Sequence, residues 1–205
     1  SDVPAALRVD IDDLLAKAEQ FYQTNIETLK MVEVGQGKSY LDDYKMQIYI
    51  LYQTEWLATG SGYDNTIGAL WVNPSTCQPV GSTIAHEIGH SFQYQVSCDK
   101  IKQGLANELF DGNGWSIGYD RGFRYGYAEG GAGGNGFWEQ CAQWQSFQDY
   151  PAEAYAASNI NVWLPNYHRH FNHEWMRYQS YWFQYYWIMK HGVDAVGKIW
   201  NEAKY

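Results

Sequence analysis

The segment His86-Glu87-Ile88-Gly89-His90 sets two imidazoles four residues apart with a carboxylate beside the first. On a helix, positions i and i+4 share one face a single turn apart, so both rings reach one tetrahedral cation. Glu87 then stands beside the cation, where a carboxylate can accept a proton from bound water. With six His and eleven Glu in the chain, a chance HExxH arises in about 1 of 100 shuffled sequences. The flanks support the reading. Ser82 to Gln95 carries no charge except Glu87, and Ile84, Ala85, Ile88 and Phe92 are apolar or small. Such a helix is expected to be buried, and a buried Glu beside two His needs a partner because an unpaired buried charge is costly.

Neutral imidazole ligands with a carboxylate base favour Zn2+ over calcium or magnesium, which prefer all-oxygen shells. Catalytic zinc keeps one position open, so a third protein ligand is required. The metzincin pattern would place Gly and His where this chain has Gln93 and Val96, which leaves a carboxylate on a later helix. Two glutamates compete. Glu108 lies in GLANELFDGNG, with 17 residues between it and His90, close to Lys100, Lys102 and Asp111, a setting ordinary for solvated carboxylates. Glu139 lies in GFWEQCAQWQ and is the one charged residue between Glu129 and Asp149; the small Cys141 and Ala142 would let its helix approach the His helix closely. Glu139 is therefore the preferred ligand and Glu108 the competitor. A zinc hydrolase also needs a donor for the oxyanion of its tetrahedral intermediate. Tyr178 is the first choice and His173 the second, from an aromatic segment that follows the ligand helix. The spacing of His168, His170 and His173 also admits a second metal site.

These residues must be positioned by surrounding elements. Apolar residues recur every three or four positions from Asp10 to Val34, predicting an amphipathic helix that roofs a sheet. Tyr44 to Tyr52 reads as a strand, Thr59 to Asn65 as a turn-rich stretch, and Thr66 to Val72 as a second strand. Ser82 or Thr83 is expected to cap the His helix, which runs to about Val96. Residues 112–136 hold ten glycines, predicting a long loop without the order of a phosphate-binding loop. Phe137 to Gln148 reads as helix, and Tyr167 to Lys190 as one long aromatic helix ending at Gly192.

Composition bounds the function. The chain has 205 residues, 18% of them aromatic, and a formal charge of −9. Collagen-like and disordered classes are excluded, and no sequence-wide attraction to nucleic acid or anionic lipid is available. No apolar run approaches the ~18 residues of a membrane span. Ser1 to Ala6 show neither a basic region nor an apolar core, so a signal peptide is expected to be absent or already removed. Three cysteines cannot all pair; a single Cys77–Cys98 bridge or three buried thiols are the alternatives.

His86, Glu87, His90 and a later helical glutamate resemble the gluzincin clan of zinc metallopeptidases. More locally, AHEIGHSFQYQ resembles the HExGHxxQ helix of secreted bacterial enhancin-like and mucin-targeting peptidases and of zincin families of gut Bacteroides. The segments FWEQCAQW and HEWMRYQSYWFQYYW are similar to the latter, so the likeness spans residues 66–190. It implies an α+β, zincin-like metallopeptidase fold: a mixed sheet with the active-site helix, then a mainly helical C-terminal lobe. It implies one catalytic domain over 1–205, with an α/β lobe over 1–98 and an aromatic-rich helical lobe over 99–205. It further implies zinc on His86, His90 and Glu139, with Glu87 as base and then proton donor to the leaving amine. Strand Ile67 to Val72 would be the edge that pairs with an extended substrate. Enhancin-like enzymes place their glutamate nearer the HExGH helix, which suits Glu108. The implied protein is a secreted, periplasmic or cell-surface monomer acting on proteins or glycoproteins. Two other readings are open: a glycan- or glycoprotein-binding module with a structural or degenerate zinc site, motivated by the many Trp and Tyr, and a zinc amidase acting on a non-protein amide.

Overall fold

The computed structural model describes residues 3–107, 136–171 and 173–202. Within them the chain is a mixed α+β structure built around a three-stranded sheet and one long buried helix. Helix α1 (Ile11–Gln23) begins where the Asp10 carboxylate accepts a hydrogen bond from the Asp13 amide, and Asp12 and Asp13 add charge favourable to a helix start. The predicted helix to Val34 stops earlier. A π turn (Thr24–Thr28) follows α1, with the Leu29 amide reaching back to Thr24 and the Asn25 side chain bonding the carbonyl of Phe21. Asn competes with the backbone for such bonds, and here it diverts the regular ladder.

Strands β1 (Gln47–Ile50), β2 (Ala58–Tyr63) and β3 (Ile67–Val72) form the sheet in the order β1-β3-β2. β1 runs parallel to β3 and β2 antiparallel, so that Leu70 stands opposite both Ile48 and Gly60. Two expectations are corrected here. The stretch from Thr59 is a strand over most of its length rather than a turn region, and β3 is the central strand, so it cannot be the edge offered to a substrate. Among the described residues the edge strands of this sheet are β1 and β2. β1 is also shorter than the predicted Tyr44–Tyr52.

Helix α2 (Ser82–Lys102) carries the HExxH segment and extends six residues beyond the predicted end at Val96. Its N-cap is Gly81, with no side-chain cap, so neither Ser82 nor Thr83 takes that role. The helix lies across the sheet on one side and against α3 (Gly136–Asp149) on the other. Both contacts are close because side chains are absent where backbones meet. A Cβ at Gly60 would fall 1.8 Å from the carbonyl oxygen of Glu87, and one at Gly89 would fall 3.2 Å from the Cα of Ala142. Helix α1 leans on α2, with the Tyr22 and Phe92 rings 5.5 Å apart. A cavity of about 570 Å³ lies between α1 and the sheet, lined by Leu15, Ala18, Ile48 and Leu70 among others, so α1 roofs α2 more than the strands.

The remaining α-helices among the described residues are α4 (Ala157–Asn166), α5 (Trp182–His191) and α6 (Ala195–Glu202). The single helix expected over Tyr167 to Lys190 is absent; a 3-10 turn at Glu174–Met176 precedes α5, which ends at Gly192 as expected. Aromatic bulk fills this part of the core. Trp144, Tyr181 and Trp200 are fully buried, Phe137 stacks on Trp200, and Phe147 meets Tyr181 edge-on. Cys77, Cys98 and Cys141 are buried free thiols. Of the two alternatives, three buried thiols is the one found, with no Cys77–Cys98 bridge. Among the described residues no helix is long and apolar enough to cross a membrane.

Candidate metal centre

The helical spacing of the HExxH segment does what the sequence requires of it: the His86 and His90 rings lie on one face of α2, 4.7 Å apart and nearly perpendicular. The first turn of α3 brings Glu139 to them. A single carboxylate oxygen, Oε2, lies 3.1 Å from His86 Nε2 and 3.2 Å from His90 Nε2. These three residues each offer one ligand atom, all within 4.8 Å of one another, and form the one such group of at least three among the described residues. The close packing of Gly89 on Ala142 is what lets Glu139, three residues before Ala142, reach across.

The site is screened from water. His86 and Glu87 are 7% and 8% exposed. Burial alone would lower the pKa of His90, but the Glu139 carboxylate bonded to it outweighs that and raises it to about 9. Burial would raise the carboxyl of Glu139, yet the two imidazoles hold it well below the usual carboxylate range. Glu139 and His90 are thus paired as opposite charges within the cluster.

Glu87 is held from the other side. Its Oε2 accepts a 2.6 Å hydrogen bond from the Gly60 amide on β2, while Oε1 has no such bond among the described residues. Tyr178 joins the cluster from the segment before α5, its ring 6.0 Å from that of His86. Burial and the Glu139 carboxylate, as charge and as hydrogen-bond partner, push its phenol up to about 12. It is thus a proton-bearing donor at neutral pH. The guanidinium of Arg177 lies 4.6 Å over its ring.

The remaining candidates fall elsewhere. His173 engages its own segment: Nε2 lies 3.2 Å from Arg169 Nη1, and Nδ1 accepts from the Trp175 amide. His168 and His170 pack on Tyr167 and Phe171, and no second metal group forms with His173 among the described residues. Glu108 and nearly all of the glycine-rich stretch lie outside the described residues. Two contributors had no role assigned from the sequence, although Gln93 closes the HExGHxxQ pattern. Gly60 is hidden in a glycine-serine stretch with no chemical signature. Gln93, whose Oε1 lies 2.9 Å from His90 Nδ1, could have been found by asking what satisfies the second nitrogen of a ligand histidine.

Compared with known proteins, the chain matches over residues 1–205 a family described as "Family of unknown function (DUF6055)". No curated protein and no solved structure matches it.

Proposed function

Because the chain belongs to the DUF6055 family, whose function is unknown, we propose from the site alone that the protein is a zinc-dependent peptidase acting on proteins or glycoproteins. The observation that carries this reading is the convergence of His86 Nε2 and His90 Nε2 on Glu139 Oε2, with a second carboxylate, Glu87, held by the Gly60 amide and close enough to act electrostatically on His90 and Tyr178. The donor set fits the metal. Ligand atoms at about 2.0–2.1 Å from a tetrahedral zinc stand about 3.3 Å from one another; the two edges to Glu139 are 3.1 and 3.2 Å, and all three atoms lie within 4.8 Å of one another. His86, His90 and Glu139 would hold the ion, leaving one position open.

A bound zinc ion supplies Lewis acidity, polarising a carbonyl and lowering the pKa of a water. Glu87 moves the proton: Oε2 is fixed by Gly60, and Oε1 takes the proton from the water and returns it to the leaving amine. Tyr178, protonated and facing the cluster, donates to the oxyanion. β2 replaces β3 as the strand that would pair with an extended substrate, since among the described residues it is an edge strand of the sheet and its Gly60 touches the base.

The test is a purified protein with its zinc content measured alongside proteolysis of an unfolded protein substrate. About one zinc per chain and loss of cleavage with a chelator are expected. Glu87→Gln should retain the zinc and lose about 10²–10⁴-fold in rate. A protein that binds no zinc, or a Glu87→Gln variant as fast as wild type, overturns the reading.

A further inference from the structure

His90 has two ring nitrogens, and only one can serve the cluster. Nε2 faces Glu139, while Nδ1 faces Oε1 of Gln93, three residues further along the same helix. The direction of the Gln93 amide is set by what lies behind it. Its Nε2 donates to the carbonyl oxygen of Trp138 at 3.0 Å and to Oε1 of Gln145 at 3.2 Å. Gln145 in turn donates through Nε2 to Asn25 Oδ1 at 2.6 Å, and Asn25 donates to the carbonyl of Phe21 at 2.9 Å. Three carboxamides therefore run in a row from the metal centre on α2, across α3, to the π turn that ends α1. Each is no more than 2% exposed.

Backbone carbonyls can only accept, so the row has one allowed polarity. Reversing Gln93 would aim its oxygen at two other acceptors, Trp138 O and Gln145 Oε1, in a buried setting where each lost bond is costly. With Oε1 held toward the ring, His90 must carry its proton on Nδ1. That leaves Nε2 as the nitrogen that gives up its proton when a metal ion binds. His86 has no counterpart to this arrangement: its Nδ1 is buried without a hydrogen bond among the described residues.

We propose that Gln93 is a positioning residue of the metal centre, selecting the Nδ1–H form of His90 and fixing its ring, with its own direction set by Trp138, Gln145 and Asn25. The inference rests on the zinc reading above. Two variants separate positioning from packing. Gln93→Met and Gln93→Glu both lose the donors to Trp138 and Gln145, so both should melt below wild type. They differ toward His90, because the Glu carboxylate still accepts from Nδ1–H and the Met thioether does not. In a competition titration with zinc alone, Gln93→Met is expected to bind about 10–100-fold more weakly, while Gln93→Glu stays close to wild type. Equal zinc affinity for the two variants overturns the proposal. Nitrogen NMR of zinc-loaded wild type labelled at histidine gives a check independent of either variant's folding: the His90 proton should reside on Nδ1, and finding it on Nε2 overturns the proposal. Absence of zinc uptake by wild type instead overturns the metal reading, and this inference with it.

Discussion

Gly60→Ala is a one-carbon change whose cost follows from the contact between β2 and α2. The added Cβ would lie 1.8 Å from the Glu87 carbonyl oxygen and 2.8 Å from the His90 Cβ. A carbon-oxygen contact settles at about 3.3 Å, so β2 must retreat by about 1.5 Å. The Gly60 amide now sits 2.6 Å from Glu87 Oε2, and a retreat of that size breaks the bond. Loss of a hydrogen bond to a charged group and overpacking of a tight contact together cost about 3–5 kcal/mol. For a chain of this size that lowers the melting temperature by about 6–20 °C. Gly62→Ala is the control. Its Cβ would strike the ring of the buried Tyr94 instead of backbone, so one side chain rather than a strand must move, at an overpacking cost of about 1–3 kcal/mol. Urea unfolding of both variants measures the order directly. Zinc content should be unchanged in Gly60→Ala, because the three ligands sit on α2 and α3, while proteolysis falls with the loss of the donor that fixes Glu87. A Gly60→Ala variant no less stable than Gly62→Ala refutes the argument that backbone approach at this point is what seats the helix.

Glu139→Ala should abolish stoichiometric zinc binding, measured by metal analysis after dialysis; a folded variant still holding one zinc per chain would remove Glu139 as a ligand. Tyr178→Phe should lower kcat about 10²–10³-fold, as removal of an oxyanion donor does, with zinc content intact; steady-state kinetics decide it. Asp99, buried with Oδ2 unbonded among the described residues, has its carboxyl raised by desolvation. Between the ordinary carboxyl value and the raised one the native state holds the proton more often than the unfolded chain. Stability from this group therefore falls as pH rises through that window and returns as pH drops. Urea midpoints of wild type relative to Asp99→Asn should accordingly rise on acidification from neutral pH, and parallel pH profiles would contradict the sign.

What could be read in advance divides along physical lines. The His pair, Glu87 and Glu139 were legible because charged or ligating side chains in uncharged helices demand a reason, and their spacing is local. β3 was legible from its β-branched and apolar run. β2 was not, because its ATGSGY sequence has poor strand propensity; the strand persists through pairing with β3, and its glycines serve the approach of α2. The long aromatic helix failed for a different reason. The three- and four-residue spacing from Tyr167 to Tyr185 is real, but His173 Nδ1 takes the Trp175 amide, and a 3-10 turn interrupts the run. Gln93 was in view within the helix, yet its role depends on Trp138 and Gln145, 45 and 52 positions away.

Helix α2 buries 15 of its 21 residues, so it offers almost no surface on which substitutions could accumulate without touching the core. A helix enclosed this way ties the chemistry to the folding of the whole chain: variants that alter it lose structure before they gain a new preference. Diversification toward other substrates must then come from elements that border the site without filling the interior. Among the described residues, the outer edge of β2 and the segment carrying Tyr178 are places where such change can be absorbed. A saturation library scored separately for folding and for cleavage should show α2 constrained in both, and those two regions constrained in cleavage far more than in folding.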